Sequence, residues 1–538
     1  MSTRQLFTAL FALALFALAV RETVDPDMWW HLRTGQYIWE QGIPHQDIFS
    51  YTVRDHVWIT HEWLSEAFMW LVYRIGGFPG LMVAFATIIA LTFWLVYLRC
   101  PGRPYLAAFV VLLAAVTSAL FWGARPQMFN LLLAAGLLVV VEKGMEGEGR
   151  KTLVLAPLLI ALWANLHSGY LFGVALLATY ATGQAIEAGM RGLGDWKKRN
   201  VPPSPQPSPS EGEGETTPLA LVGRRGRGEG EQLPKKLPIP QSPLRSLLGS
   251  PAGRLGLLTV ASLLAALLNP NTYRLWLYPF ETLGSPAMQE QILEWQSPDF
   301  HYRYFWFFGA MLALGLVSFT LSHRRPTWTE FLLFLGLAAA GLLSSRNIPL
   351  FAVATTPIIT RHLLSSLEGS RLHGFLSGQS PTRPTPRPVA WLNWLLLVAA
   401  GPAVIMWTAQ KISQNEAAVA RQFPVAAVDF LEQEGLAQAR GYNSYNWGGY
   451  LIWRGLPVFV DGRADVYGDD FLFYYLQTWE LTSSWRQPLV DWQVEYVLIE
   501  PHRSLSTLLI ASGEWTPVYT DEVAQVLVRE RPLRNGQD

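Results

Sequence analysis

Charged residues and cysteines are both scarce in this chain. Asp, Glu, Lys and Arg make up 15% of the 538 residues, whereas 50% are hydrophobic and the mean hydropathy is +0.19. So few charges exclude a water-soluble chain of this size. The single cysteine, Cys100, excludes an internal disulfide framework and any zinc site built from cysteines. The composition predicts a membrane protein whose exposed parts fold without covalent cross-links.

Long apolar segments recur along the chain. Most approach the roughly 17–25 residues that a membrane-spanning helix needs. We predict a polytopic α-helical membrane protein with about eleven transmembrane helices. No cleavage pattern of small residues follows the first segment, so we interpret it as an uncleaved span and not as a signal peptide. The segments are 5–20, 80–98, 105–122, 127–141, 153–165, 169–187, 255–268, 304–322, 328–343, 348–360 and 390–408.

Lys and Arg concentrate in alternate loops between these segments. One set of loops carries clusters such as Arg99 with Arg103, while the other set holds only isolated arginines. Under the positive-inside rule this bias places the N-terminus in the cytoplasm, and an odd number of spans then places the C-terminal region outside. We therefore expect a multi-pass protein of the cytoplasmic (inner) membrane with an extracytoplasmic C-terminal domain.

The chain divides into a transmembrane domain, 1–410, and a soluble extracytoplasmic domain, 411–538. The first outer loop, 21–79, lies within the transmembrane domain. The segment 190–254 is rich in Pro, Ser, Gly and charged residues, a composition that cannot bury a core. We predict that this segment is a disordered cytoplasmic insertion without a catalytic role.

The C-terminal domain combines helix and strand signals. Residues 424–436 have a helical pattern. Strand patterns cover 456–460, 494–500 and 523–529. Their spacing predicts an α/β or α+β domain of modest size. The turn-rich stretches 443–450 and 461–465 suit either carbohydrate contact or a tight structural hairpin, and we prefer the hairpin.

The first outer loop gathers carboxylates and histidines beside tryptophans. Asp25, Asp27 and His31 stand near its start, and His61 with Glu62 near its end. Such groups are expensive to keep beside a membrane, which favours a functional role. Other predicted outer loops add Arg125, His167, Glu294 and Arg346. We therefore expect any chemistry or binding to take place on the outer face.

Helix signals divide the first outer loop into two surface helices. Asp25 suits an N-cap, Pro26 the first helical position and Gly42 the end of the first helix. Thr60 suits the cap of a second helix that ends at Gly76-Gly77. The loop is therefore expected to be folded along the membrane surface.

These features together resemble the GT-C superfamily of membrane glycosyltransferases. They are an acidic residue just after the first span, a large first outer loop with two surface helices, about a dozen spans and a C-terminal outer domain. The superfamily includes protein mannosyltransferases, oligosaccharyltransferases and the aminoarabinose transferase. Five stretches resemble a bacterial branch: Asp-Pro-Asp-Met-Trp-Trp-His at 25–31, His-Glu-Trp-Leu at 61–64, Trp-Ala-Asn-Leu-His at 163–167, Glu-Trp-Gln-Ser-Pro-Asp-Phe at 294–300 and Asn-Trp-Gly-Gly-Tyr at 446–450.

The resemblance implies transfer of a sugar from a polyprenyl-phosphate-linked donor to a lipid, glycan or protein acceptor. In inverting members, an Asp at the start of the first outer loop accepts the proton of the acceptor nucleophile. Asp25 and Asp27 both occupy that place, and we prefer Asp27, which lies slightly further along the chain and is flanked by Trp; the alternative role of Asp25 is that of an N-cap alone. The intervening Pro departs from the Asp-Glu pair of mannosyltransferases, so the two remain alternative bases.

The expected substrate-binding residues each have a structural alternative. His61 and Glu62 suit donor phosphate or a metal ion, although Glu62 also suits the first turn of a helix. Arg125 and Arg346 can hold a phosphate bidentately or be interfacial arginines. The set is completed by His31, His167 and Glu294.

The sequence neither predicts nor excludes a bound divalent metal ion. A carboxylate site would use Asp27, Glu294 and Asp299. A transition-metal site would use His31, His61 and His167. Neither set has a spacing that is specific to a metal.

Other functional classes compete with a glycosyltransferase. Transporters or flippases of lipid-linked intermediates tend to carry charges at mid-membrane and repeated, broken helices. Polysaccharide polymerases and ligases have their large outer loop late in the chain. An adaptor whose outer domain binds another protein is a further alternative. We expect membrane lipid, a polyprenyl-phosphate sugar and an acceptor of undefined identity as partners, and no nucleic acid.

Overall fold

A computed structural model describes residues 1–199, 249–377 and 385–530 of the chain. Each of the predicted apolar segments lies on a helix, which confirms a polytopic helical membrane protein. Among the described residues, six helices are long and apolar enough to cross a membrane by length and composition, and shorter apolar helices accompany them. The total number of crossings stays a prediction.

Several helices run further than the apolar segments that predict them. The predicted segments 127–141 and 348–360 stop at charged residues, but both helices continue because those residues find partners, as Glu142 does with Arg99. The helices before the C-terminal domain are α1 Thr3–Ala19, α2 Met28–Gln41, α3 Trp63–Arg99, α4 Tyr105–Ser118, α5 Gln127–Met145, α6 Leu155–Leu166, α7 Tyr170–Arg199, α8 Pro251–Ala265, α9 Arg274–Leu283, α10 Pro286–Gln291, α11 Trp306–Leu321, α12 Trp328–Leu343, α13 Ile348–Ser366, α14 Arg371–Leu376 and α15 Arg387–Gln422.

Helix α13 lies at the centre of the bundle and α15 at its edge. In their most apolar stretches, 83% of the residues of α13 are buried, compared with 6% for α15. Small residues and threonines on α13 allow close packing, and Thr355 and Thr356 donate to the carbonyls of Phe351 and Ala352, at 2.7 and 2.6 Å. The exposed apolar face of α15 suits contact with lipid.

The first outer loop contains the two predicted surface helices, with altered boundaries. Helix α2 begins at Met28 and ends at Gly42, so Pro26 precedes the helix. Thr60 does not cap the second helix, because its hydroxyl donates to the Pro44 carbonyl at 2.6 Å. The predicted end of the second helix is confirmed by Gly77, whose φ of +59° breaks α3 between its surface part and its membrane part.

The C-terminal domain follows α15, which continues through the predicted boundary at 410 to Gln422. Its helices are α16 Val425–Gln433, α17 Gly448–Arg454, α18 Ala464–Trp479, α19 Gln487–Asp491 and α20 Ser504–Ala511. Its strands are β1 Gly441–Asn443, β2 Tyr496–Ile499, β3 Trp515–Thr520 and β4 Gln525–Arg529. The sheet order is β1-β2-β4-β3, with β1 parallel to β2 and the other pairs antiparallel. This mixed fold confirms an α/β or α+β domain.

The predictions for the stretches 456–460 and 443–450 of this domain are wrong. Residues 456–460 form no strand and contribute one isolated bridge, from Val458 to Ser50, because they lie against the first outer loop instead of a neighbouring strand. The stretch 443–450 is no hairpin, since a turn at Tyr445–Trp447 leads directly into α17. The helix at 424–436 and the strands at 494–500 and 523–529 are confirmed.

The predicted insertion falls mostly on residues 200–248, which lie outside the described residues. At its edges, residues 190–199 complete α7, and α8 begins at Pro251. The prediction of disorder therefore concerns the part between these two helices.

The orientation of the chain gives a direct prediction. A single cysteine introduced at Gly536, in a Cys100→Ala background, should react with a membrane-impermeant maleimide added to intact cells lacking an outer membrane barrier, because the C-terminal region is expected outside. The matched control is a cysteine at Ser2, which should react only after the membrane is opened. Labelling of Gly536→Cys solely in opened cells would reverse the orientation.

Candidate functional site

The nine predicted site residues converge at one end of the bundle, where α2, α3 and α5 begin. Asp25 lies behind the wall of a cavity of about 180 Å³, in contact with Arg125. The others line this cavity, which we call the site cavity: Asp27, His31, His61, Glu62, Arg125, His167, Glu294 and Arg346. Residues far apart in the sequence thus share one cavity.

Arg125 holds three carboxylates together in the cavity wall. Its Nε lies 3.2 Å from Asp25 Oδ2 and its Nη1 lies 3.3 Å from Asp27 Oδ2. Its Nη2 donates to Glu294 Oε1. Burial alone would lower the pKa of Arg125, but these three negative charges raise it. The guanidinium is therefore occupied by carboxylates of the protein itself.

Asp27 is the carboxylate best placed to exchange a proton with a ligand. Its side chain is 31% exposed, compared with 13% for Asp25, and its Oδ1 accepts a hydrogen bond of 3.2 Å from Trp30 Nε1. Burial, followed by the charge of Asp25, raises the pKa of Asp27 to about 7 against the opposing effect of Arg125. Asp25 instead stabilises the local backbone, because its Oδ1 accepts a hydrogen bond of 3.0 Å from the backbone N–H of Asp27.

Glu62 lies at the start of α3 and faces three imidazoles. Its Oε1 is 3.3 Å from His61 Nε2 and 3.4 Å from His167 Nε2. Its Oε2 is 3.6 Å from His31 Nε2. Burial alone would raise the pKa of Glu62, but His61 and His167 lower it. The group is therefore a carboxylate at neutral pH.

The three histidines differ in how readily they carry charge. Burial lowers the pKa of His31 to about 3 and that of His167 to about 4. Burial would also lower the pKa of His61, but the neighbouring Glu62 raises this pKa above the ordinary value. His61 is therefore the imidazole that becomes positive most easily.

Arg346 has no carboxylate within ion-pair distance in the described part of the chain. Its guanidinium carbon lies 4.3 Å from the centre of the Trp295 ring. The turn that carries it is fixed to the same segment, because Ser345 N–H donates to Gln296 O at 2.9 Å. Stacking holds the guanidinium plane and leaves its N–H groups available to a bidentate acceptor such as phosphate.

The C-terminal domain supplies one wall of the site cavity, through residues 462–465. Gly462 lies so close to Asp27 that a Cβ at this position would be 2.2 Å from Oδ1. Asp465 lines the same wall, and burial raises its pKa. The prediction of a hairpin for 461–465 is wrong, since this segment enters the site and continues into α18.

Arg463 links this wall to the first outer loop through a buried ion pair. Its side chain is fully buried, with Nη1 2.7 Å from Asp47 Oδ1 and Nη2 2.7 Å from Asp461 Oδ2. Its guanidinium carbon also lies 4.6 Å from the centre of the Trp58 ring. The bidentate and stacking geometry is the kind that arginine provides and lysine does not.

The residues do not fit the predicted carboxylate metal site. Asp27 and Glu294 both contact Arg125, so a guanidinium lies between them. Asp299 is not in the cavity wall and instead accepts from His301 N–H at 2.9 Å. Within the described ranges, no three His, Cys, Asp or Glu side chains are arranged to hold a metal ion.

Sequence analysis missed several residues of the site. Glu66, 1% exposed, lies behind His31 with Oε1 3.1 Å from Nδ1. The Tyr278 ring contacts that of His61, with the ring centres 4.3 Å apart. A second cavity of about 490 Å³ shares part of the wall, through Tyr278, Thr282, Met288 and Asp465. Only the stretch 461–465 gave a sequence signal, as one of two turn-rich stretches considered for carbohydrate contact.

No protein-family model and no curated protein matches the chain. Solved structures do match. ArnT from Cupriavidus metallidurans bound to undecaprenyl phosphate is 14% identical, with 99% of both chains covered and a TM-score of 0.50. The apo state of the same protein is 14% identical, with 97% of both chains covered and a TM-score of 0.49. The apo Archaeoglobus fulgidus oligosaccharyltransferase is 12% identical, with 92% of this chain and 70% of that chain covered and a TM-score of 0.48.

The alignment with undecaprenyl-phosphate-bound ArnT extends over the membrane part and the C-terminal domain together. The chain therefore has the fold of the GT-C membrane glycosyltransferases, which its sequence resembles. At 14% identity the likeness concerns the architecture alone, so the activity has to be argued from the site.

Proposed function

We propose that the protein transfers a sugar from a polyprenyl-phosphate-linked donor to an acceptor on the outer face of the cytoplasmic membrane. One observation carries the proposal: Asp27, with a pKa of about 7, shares a cavity with Arg346, a cation without an ion pair among the described residues. Inverting transfer needs a base for the acceptor and a cation for the departing phosphate. The GT-C fold supports the lipid donor, since ArnT with this fold was solved with undecaprenyl phosphate.

Asp27 acts as the general base in this reaction. It takes the proton from the acceptor hydroxyl, whose oxygen uses its electron pair to form a bond to the anomeric carbon. The bond between that carbon and the phosphate oxygen breaks with inversion, and its electron pair leaves with polyprenyl phosphate. A carboxyl with a pKa near the working pH suits this role, because about half of it is deprotonated and the deprotonated form is more basic than an ordinary carboxylate.

Arg346 binds the donor phosphate in this proposal, and Arg125 does not. The guanidinium of Arg125 contacts Asp25, Asp27 and Glu294, so binding a phosphate would require it to leave them. Arg346 faces no such competition, whereas the His61 imidazole already faces Glu62 at 3.3 Å. Arg125 instead keeps the neighbouring carboxylates in place and moderates the pKa of Asp27.

The pH dependence tests the proposal. We expect kcat/KM to rise with pH through about 7, because Asp27 accepts a proton only when it is deprotonated. Asp25→Asn should move this rise to lower pH, since it removes a negative charge that raises the pKa of Asp27. The measurement is release of undecaprenyl phosphate from undecaprenyl-phosphate pentoses and hexoses by the full-length protein in nanodiscs, with a cell-envelope fraction as the source of acceptor.

Asp299→Asn is the matched control for the pH profile. It makes the same chemical change at a carboxylate outside the site cavity, and the profile should stay unchanged. An unshifted rise in Asp25→Asn would argue against Asp27 as the base. If no donor released undecaprenyl phosphate at any pH, the proposed transfer reaction would be refuted.

A further inference from the structure

Another cavity, of about 820 Å³, lies at the end of the bundle opposite the site cavity. Helices α5 and α13 connect the two ends. Gln127 and Arg346 line the site cavity, whereas Lys143 and Arg361 line the cavity at the opposite end. At 1.5 Å per residue these pairs are separated by about 22–24 Å along their helices, which approaches the thickness of a bilayer core. The cavity at the opposite end therefore faces the other membrane surface, which is predicted to be cytoplasmic.

Cations from four separate chain segments line this cavity of about 820 Å³, which we call the basic cavity. They are Arg99, Arg103, Lys143, Arg324 and Arg361. Glu142 pairs with Arg99 at 2.8 Å, and Glu330 pairs with Arg361. The other three cations form no ion pair with any described residue, and Glu146 is the only further carboxylate of the wall. Among its described residues, the basic cavity thus has five cations against three carboxylates, an excess of positive charge.

An apolar groove of about 520 Å³ adjoins the basic cavity and shares Leu98 and Arg103 with it. The groove lies along α1 and α3, with the small residues Ala9 and Ala12 on one side and Trp94 on the other. Its place on the bundle is beside the membrane interior, because both helices are predicted spans. A hydrocarbon chain, and not a water-soluble ligand, fits such a surface.

We propose that the basic cavity binds the phosphate headgroup of an anionic phospholipid of the inner leaflet, with one acyl chain in the adjoining groove. Basic pockets between transmembrane helices on the cytoplasmic side are suited to anionic headgroups. Arg103 belongs to both the cavity and the groove, so it can contact the phosphate at the point where the lipid enters. The lipid would bridge α1, α3 and α5 far from the sugar chemistry.

Binding of fluorescent phosphatidylglycerol to the delipidated full-length protein in neutral detergent tests this proposal. The variant R103Q/K143Q/R324Q should bind at least about 10-fold more weakly, since each basic residue contributes to attraction of an anionic lipid. The control R191Q/R371Q/R387Q removes three exposed cations outside the cavity and should bind as the wild type does. Equal binding by R103Q/K143Q/R324Q and wild type would overturn the proposal, as would equal affinity for phosphatidylcholine.

Two further measurements distinguish a lipid from a free phosphate. Filling the groove with Ala12→Trp changes no charge and should weaken binding of long-chain phosphatidylglycerol by several-fold, with little effect on a water-soluble short-chain form. Glycerol phosphate should displace the fluorescent lipid only weakly. Displacement by glycerol phosphate as effective as displacement by the lipid, or full lipid binding by Ala12→Trp, would show that the basic cavity takes a soluble phosphate and would overturn the lipid proposal.

Discussion

Asp27→Asn is expected to lower sugar transfer by about 10²-fold or more. The amide keeps the size of the side chain and can still accept the hydrogen bond from Trp30, but it cannot take a proton. The loss should fall on kcat, because the group proposed to bind the donor phosphate, Arg346, is unchanged. Single-turnover release of undecaprenyl phosphate, measured beside equilibrium binding of the donor, separates these two effects.

Three companion variants make this result specific. Asp299→Asn should retain full transfer, because its carboxylate lies outside the site cavity. Asp25→Asn should lose much less than Asp27→Asn at a pH where Asp27 is deprotonated. An equal loss would mean that the two carboxylates act as one unit. Full transfer by the Asp25→Asn, Asp27→Asn double variant would refute both carboxylates as the base.

Arg463→Met is expected to destabilise the protein by about 3–5 kcal/mol. The substitution leaves Asp47 and Asp461 buried without their shared cation, and it removes the contact with the Trp58 ring. Unfolding in denaturant, followed by tryptophan fluorescence, measures the change. Because Arg463 joins the C-terminal domain to the first outer loop, limited proteolysis should also release that domain more readily.

Arg503→Met is the matched control for Arg463→Met. Arg503 also contacts a carboxylate, Glu500, and a tryptophan ring, Trp479, but its side chain is 46% exposed. Its loss should cost less than about 1 kcal/mol. Adding Asp47→Asn and Asp461→Asn to Arg463→Met should recover part of the stability, because no buried charge is then left unpaired. Equal destabilisation by both arginine substitutions would contradict the role assigned to burial.

The membrane fold was predictable because its signals are local. Apolar length identifies each helix, and a glycine marks the break in α3 at Gly77. Helix ends were less predictable, since α5 and α13 continue through charged residues whose partners lie on other helices. The short strand β1 and the segment 456–460 depend on contacts with distant parts of the chain, and a sequence pattern does not contain that information.

The candidate site was predictable to the extent that membrane topology brings polar residues to one level. That reasoning selected nine residues, and the structure gathers all of them in or beside one cavity. It could not rank the two arginines, because the difference between them lies in their neighbours: Arg125 contacts three carboxylates and Arg346 stacks on Trp295. It also missed Asp465, which reaches the site only through the folding of the C-terminal domain.

The close approach of Gly462 to Asp27 has a consequence for how the protein is made. During translation, the first outer loop is made, and on the predicted topology exported, long before Gly462 leaves the ribosome. Until then, Asp27 is open to water on the side that Gly462 later covers, and its carboxyl lacks the burial that raises its pKa. A chain that stalls or is truncated before the C-terminal domain therefore contains the proposed base without the wall that Gly462 supplies. We expect the proposed sugar transfer only from completed molecules.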